Sequence, residues 1–228
     1  MIVRPVNRIR LPAIAVGSDL TEFFTTFSET ADENPLSQGG LWINGETDGL
    51  DWRDFQISGG NACAADFSTT GPPPYNDAIA ILKPSAFACN SDQFAEIVVH
   101  RGAGYNPGSG THEHGLFLRF TLEANLAQGY EVYLNWSGNF AIVRWNGLVN
   151  DWDTLSAIGP GPADPQDGDV FRFEAEGTEL RVYQNGGLIK TANDATFTSG
   201  QPGLQSYVSG SNKVLANYGS QSFRCGNL

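Results

Sequence analysis

The amino-acid sequence predicts an all-β domain of the sandwich or barrel class, and three observations support that expectation. Short strand-like runs recur along the chain, each bounded by turn residues. No stretch sustains a 3.6-residue apolar period for long. Glycine (27) and proline (12) are abundant while methionine occurs once, a balance that suits tight turns and not long helices.

The runs span 22–27, 54–58, 77–82, 93–101, 114–122, 130–136, 140–146, 168–176, 179–185, 203–208 and 214–223. Turn clusters separate them, among them Gly71-Pro72-Pro73-Pro74, Asn106-Pro107-Gly108-Ser109-Gly110 and Gly159-Pro160-Gly161-Pro162. With 228 residues, 40% of them hydrophobic, one packed core is expected. Residues 21–228 are assigned to a single sandwich domain and residues 1–20 to an extended N-terminal arm. Arg4, Arg8 and Arg10 make the arm basic, and Pro5 and Pro12 interrupt it. Met1 to Gly17 holds no apolar core of signal-peptide length. The expectation is a chain outside the usual secretory route or one whose leader has been removed.

Twenty-five acidic residues against 13 basic ones give a net charge of −12, which repels phosphate backbones and argues against nucleic acid as a partner. No run approaches the ~18 apolar residues of a membrane span. Cys63, Cys89 and Cys225 are too few for a disulfide scaffold. They read as three small buried or half-buried thiols, with a Cys63–Cys89 bridge as the alternative.

Two hairpins can be registered. Gly177-Thr178 as a two-residue turn pairs Glu176 with Glu179, Glu174 with Arg181 and Arg172 with Tyr183. Phe171, Phe173, Ala175, Leu180 and Val182 then form the apolar face. Ser137-Gly138 as a second such turn groups Tyr130, Val132, Leu134, Trp136, Ala141, Val143 and Trp145 on one face. Both tryptophans are therefore expected in the core.

The segments Gln93-Phe94-Ala95-Glu96-Ile97-Val98-Val99, Gly115-Leu116-Phe117-Leu118-Arg119 and Gly129-Tyr130-Glu131-Val132 carry a family resemblance. So do Gly168-Asp169-Val170-Phe171-Arg172, Asn185-Gly186 and Gly200-Gln201-Pro202-Gly203-Leu204. Across roughly residues 90–208 the chain resembles the concanavalin A-like lectin/glucanase superfamily, in its LamG-like bacterial and phage branch. The resemblance implies a two-sheet antiparallel jelly-roll sandwich. It does not fix the chemistry, because lectins, glycanases, lyases and virion parts share that fold.

Candidate sites follow from residue type. Glu174 and Glu176 share a strand face, the arrangement a glycosidase needs for its paired carboxylates. Arg172, however, stands where the glucanases of the superfamily carry the first acid of Glu-x-Asp-x-Glu, and Arg181 faces Glu174 as an ordinary surface pair. Catalytic residues are accordingly expected to be none. His112 and His114, with His100 across a loop, could hold zinc, or could be three half-exposed histidines, which is the preferred reading. Asp164, Asp167 and Asp169 crowd a loop that reads as a turn before a strand, with structural calcium left open and no other cofactor expected. No lyase motif is present, although His114, Tyr133 and Arg144 could converge. Trp42, Trp52, Tyr75, Tyr105 and Trp152 lie near polar turns and are candidates for stacking on sugar rings. Trp152 with Asn150, Asp151 and Asp153, and Tyr105 with them, form the expected ligand-binding set.

Together these observations point to a non-catalytic, lectin-like module that binds a polysaccharide or cell-surface glycan. Display on a phage virion or another surface assembly through the basic arm is the accompanying expectation. An endo-glycanase or polysaccharide lyase of the same fold is the alternative.

Overall fold

The computed structural model describes residues 21–66, 77–104, 112–135, 140–148, 151–158, 165–208 and 214–228. The arm 1–20, Tyr75, Tyr105, Trp136, Asn150 and Asp164 lie outside the described residues. The strands are β1 (Glu22–Thr26), β2 (Trp42–Ile43), β3 (Arg53–Ser58), β4 (Asn61–Ala64), β5 (Ala78–Leu82), β6 (Gln93–Arg101), β7 (His112–Glu123) and β8 (Leu126–Asn135). They continue with β9 (Phe140–Gly147), β10 (Trp152–Ile158), β11 (Val170–Glu176), β12 (Glu179–Gln184), β13 (Gly187–Asn193), β14 (Gln201–Val208) and β15 (Tyr218–Asn227). No helix among the described residues is long and apolar enough to cross a membrane.

The strands form two layers. Sheet I runs β4-β15-β6-β11-β12-β13, with β1 also paired to β15. Sheet II runs β10-β9-β8-β7-β14-β5, with β2 paired to β5. Strand β3 joins them: Arg53 and Asp54 pair in parallel with β5, while Phe55 to Ser58 pair with β4. The other ladders are antiparallel, as a jelly roll requires. Between the layers lies one apolar core. Phe55, Ile97, Phe171, Phe173, Val182 and Phe223 enter it from sheet I, and Leu116, Leu118, Val132, Ile142 and Leu204 from sheet II.

Four strands were not anticipated from the sequence: β2, β4, β10 and β13. The last two are sheet edges, and their largely exposed side chains show no inward–outward alternation to read. The hairpin β11–β12 has the expected register, with Glu174 opposite Arg181 and Arg172 opposite Tyr183. Gly177 takes φ +55 in its turn, which a side chain would resist.

The hairpin β8–β9 is shifted by one residue from expectation. Leu134 pairs with Phe140, and Glu131 pairs with Val143, across a connection of odd length. A two-residue turn would have paired Asn135 with Phe140. A one-residue slip reverses which face each side chain of β9 takes. Ala141, Val143 and Trp145 therefore leave the core and join Glu131 and Tyr133 on the outer face of sheet II.

Arg119, 1% exposed and at φ 49, marks a bulge in β7. Its guanidinium donates to the carbonyls of Ser91 (2.6 Å), Gly177 (2.9 Å) and Phe197 (3.1 Å), tying one end of the sandwich together. Spending so many donors is what makes a buried arginine tolerable.

Candidate functional site

The outer face of sheet II carries a second apolar cluster, separate from the main core. Ile79 and Ile81 of β5, Phe117 of β7, Ala141 and Val143 of β9, and Trp145 gather around Trp52. The Trp52 ring meets Trp145 edge-on at 5.1 Å and Phe117 at 6.1 Å. This cluster buries a face that a two-layer sandwich would otherwise leave to water, so the middle of sheet II is covered on both sides.

Beside that cluster opens a pocket of about 310 Å³, lined by Asp77, Glu113, Glu131, Tyr133, Val143, Trp145 and Trp152. Asp77 precedes β5, Glu113 lies on β7, Glu131 and Tyr133 on β8, and Trp145 on β9. Trp152 opens β10 directly across from Trp145 and is 46% exposed, at the rim. Gln205 of β14 sits between Gly115 and Ile79, and its Nε2 donates to Asp77 Oδ1 at 2.8 Å. The Trp145 indole N–H donates to Glu131 Oε2 at 2.6 Å.

Three carboxyl groups share this pocket, and all are held above their usual range. Burial is the first cause in each case. Glu113 is pushed up to about 7 by burial and then by Asp77, against the Asn135 amide. Asp77 is pushed up to about 6 by burial, against the Gln205 amide. Glu131 lies well above the usual carboxylate range, through burial and then the charge of Asp77. No arginine or lysine lines the pocket among the described residues, and none enters the charge balance of these acids.

Of the residues expected from sequence to bind ligand, Trp152 lies at this pocket. Its neighbours turn elsewhere. Asp153 bridges Arg144 at 2.6 Å, which also holds Asp194 at 2.6 Å, and Asp151 accepts from Asn146 at 3.2 Å. Trp152 opens an edge strand directly after a turn in which the Asp151 N–H donates to the Leu148 carbonyl at 3.0 Å. Trp42 and Trp52 are buried side chains, 2% and 1% exposed.

The histidines are not half-exposed as a group. His112 and His114 are each 1% exposed and point into the sandwich. The His112 ring packs on Tyr218 at 4.6 Å, and His114 Nε2 contacts the Ser220 hydroxyl. Burial drives the His114 pKa down to about 3, so it is neutral. His100 pairs instead with Asp167 at 3.2 Å. Tyr133 takes the outer face of β8 while His114 and Arg144 take inner positions, so these three do not converge.

Asp167 also accepts from the Arg101 amide at 2.9 Å, and Asp169 from Gln184 (3.0 Å) and Asn185 (2.9 Å). Their oxygens serve the turn before β11. Among the described residues no three His, Cys, Asp or Glu side chains converge on a metal-sized site. Cys63 is buried and its thiol pushed up to about 12 by burial, and Cys89 lies against Cys225 instead of Cys63. Glu174 is buried, not an exposed surface acid. It accepts from Arg172 at 2.7 Å and Arg181 at 3.1 Å.

Sequence reasoning missed Asp77, Glu113, Glu131 and Gln205. The alternation Glu131-x-Tyr133 opposite Val143-x-Trp145 held the signal, and the one-residue slip concealed it.

No protein-family model matches the sequence, and no curated protein is significantly similar to it. Solved structures share the architecture at low identity. The chain superposes on the carbohydrate-binding module CBM66 from Bacillus subtilis with a TM-score of 0.53 and 13% identity, covering 84% of this chain and 96% of that one. It matches the exoplasmic/lumenal domain of VIP36, in its Ca2+/Man3GlcNAc-bound form, with a TM-score of 0.54 and 10% identity over 85% and 88% of the two chains. The fold is the concanavalin A-like jelly roll. A Bacillus licheniformis β-glucanase shares this jelly roll too, at a TM-score of 0.50 and 13% identity, over 92% and 96% of the two chains.

Proposed function

We propose that the protein binds a polysaccharide or cell-surface glycan at the Trp152 pocket on the outer face of sheet II, without cleaving it. The carrying observation is the half-exposed Trp152 ring standing across from Trp145, above three carboxyl groups. A pyranose presents an apolar face that stacks on such a ring, and its hydroxyls donate to carboxylates. The structures named above as a carbohydrate-binding module and as a glycan-bound domain support the reading as analogy of fold. The basic arm accords with display on a virion or other surface assembly, since its charge opposes that of the acidic body.

A glycanase is the second reading, favoured by Glu113, whose pKa near 7 suits a general acid. Two features weigh against it. Glu131 is 3% exposed beneath the Trp145 indole, and Asp77 spends one oxygen on Gln205. Each is fixed by that bond and keeps one oxygen to accept from a bound hydroxyl, the role of a binding group. The test is affinity electrophoresis against plant, algal and bacterial polysaccharides, with parallel assays for new reducing ends and unsaturated products. Retention without products is expected. Product release that disappears in Glu113→Gln would establish the glycanase instead.

A further inference from the structure

The connection between β5 and β6 carries a cysteine that meets another one far away in the sequence. Cys63, Cys89 and Cys225 are all free thiols. Cys225 lies on β15, fully buried and facing the core between the sheets. Cys89 is half-buried and packs against that same core. Hydrogen bonds on either side hold the two segments together. The Asn90 N–H, next to Cys89, donates to Asn227 Oδ1 at 2.7 Å, and the Leu228 N–H donates to the Asp92 carbonyl at 3.0 Å. Gln93 then pairs with Asn227 where β6 begins. Within this frame the Cys89 and Cys225 thiols share a hydrogen bond.

Cys63 is out of reach of both. It pairs with Gly219 near the other end of β15. Extended chain from there to Cys225 covers about 20 Å, against the ~7 Å between Cα atoms that a disulfide can span. Its neighbours Ala62 and Ala64 face the core, so Cys63 takes the opposite side of sheet I from Cys225.

We propose that Cys89 and Cys225 form a disulfide when the protein meets a small-molecule disulfide such as oxidised glutathione, stapling the β5–β6 connection to β15. The reaction is a pair of thiol–disulfide exchanges. Cys89, the more exposed thiol, reacts first: its sulfur bonds to one sulfur of the oxidant, whose S–S bond breaks and releases one thiol. The Cys225 sulfur then bonds to Cys89 and displaces the second thiol. Each cysteine proton ends on a released thiol, so two cysteines are oxidised while one disulfide is reduced to two thiols. Burial, and then Cys89 itself, hold the Cys225 thiol well above its ordinary range, which makes the second exchange the slow one.

The tied segment is one on which both sheets rely. The Ser91 carbonyl accepts from Arg119 of β7 at 2.6 Å, and Asp92 Oδ1 accepts from the Gly177 N–H, in the turn between β11 and β12, at 2.9 Å. A covalent tie there secures that end of the sandwich and restricts the unfolded chain.

The experiment incubates the whole chain, first reduced, with oxidised and reduced glutathione at about pH 8, where thiolates are available. Free thiols are counted after acid quenching and denaturation, and unreduced peptides are mapped by mass spectrometry. The count is expected to fall from three to one, with a cross-linked pair of peptides carrying Cys89 and Cys225. The melting temperature should rise by about 5 °C or more over the reduced protein. Cys63→Ala should leave both the cross-link and the thermal gain intact. Cys89→Ser, at a half-buried position, should abolish both. Three remaining thiols, a glutathione adduct on Cys89 that never resolves, or a cross-link through Cys63 would each overturn the proposal. A Cys89–Cys225 bond that leaves the melting temperature unchanged would overturn the staple.

Discussion

The outer faces of the two sheets are both rich in acid, yet they treat it in opposite ways. Across sheet I, acids and arginines alternate along one row of side chains: Glu22 with Arg224, Arg224 with Glu96, Glu96 with Arg172, Arg172 with Glu174 on the same strand, and Glu174 with Arg181. Arg181 also holds Glu176 at 2.5 Å and Glu179 at 3.1 Å. Every acid in this row has a guanidinium beside it, and Arg172 covers the Phe94 ring at 3.6 Å. On sheet II the acids of the pocket have one another, two amides and an indole. The same side-chain chemistry therefore yields a closed charge ladder on one face and, on the other, a pocket with aromatic residues in its lining whose acids have no arginine or lysine among the described lining residues. Acids neutralised by arginines stabilise the fold, whereas buried acids with no counter-charge have perturbed ionisation and mark a candidate site.

Removing the aromatic rim should break the comparison most visibly. Trp152→Ala is expected to lower glycan affinity by about tenfold or more, the scale of an interface hot spot. Because Trp152 is 46% exposed at the head of an edge strand, the melting temperature should move by no more than about 2 °C. A large thermal loss, or unchanged affinity, would remove Trp152 from the site.

The next largest effect is on pH dependence, where the two kinds of acid have opposite signs. Glu113 and Asp77 rise in the folded state from 4.5 to about 7 and from 3.8 to about 6. The folded protein thus binds more protons than the unfolded chain between those values, so stability falls as pH rises through them. Asp169 and Asp194 are held below their usual value, chiefly by hydrogen bonds that outweigh their burial, and their contribution is lost as pH falls through the folded values. The two sets balance near the unfolded carboxyl values, so the maximum of stability falls at about pH 4. The buried neutral His114 opposes acidification in the same direction as Asp169 and Asp194. Glu113→Gln should raise the melting temperature at pH 8 by about 2–4 °C, after discounting for a half-buried group, and leave it unchanged at pH 4. An equal rise at both pH values would show that charge is not the cause.

How legible these two faces were in the sequence follows from how local their pairings are. The β11–β12 register could be read because a two-residue turn starting at Gly177 leaves only one way to align the strands. Glu174 and Arg181 are thereby neighbours at short sequence range. The pocket is built the other way. Asp77, Glu113 and Gln205 become neighbours only because β14 inserts between β7 and β5, a pairing no local pattern announces. Glu131 and Trp145 belong to one hairpin, but the odd-length connection puts Trp145 on the face opposite to that expected. Trp152 was legible because polar residues surround it, although the partners expected for it are engaged with Arg144 and Asn146.

The smallest expected effect comes from Glu174→Gln, and it sharpens the contrast between the faces. Glu174 is 9% exposed and accepts one hydrogen bond from each of two arginines, at 2.7 Å and 3.1 Å. Glutamine keeps the shape and one acceptor oxygen, but its NH2 group then faces a guanidinium. Arg181 retains Glu176 and Glu179, and Arg172 retains Glu96 at 3.6 Å, so neither arginine is left without a carboxylate. That redundancy should hold the cost to about 1 kcal/mol, at the lower end for charge-assisted hydrogen bonds. Glycan affinity should not change, because the side chain lies on the other sheet. Urea denaturation of wild type and variant measures the first quantity, and titration with the best-binding oligosaccharide measures the second. If affinity falls with Glu174→Gln while stability holds, the ligand lies on the charge ladder of sheet I and the assignment of the two faces must be reversed.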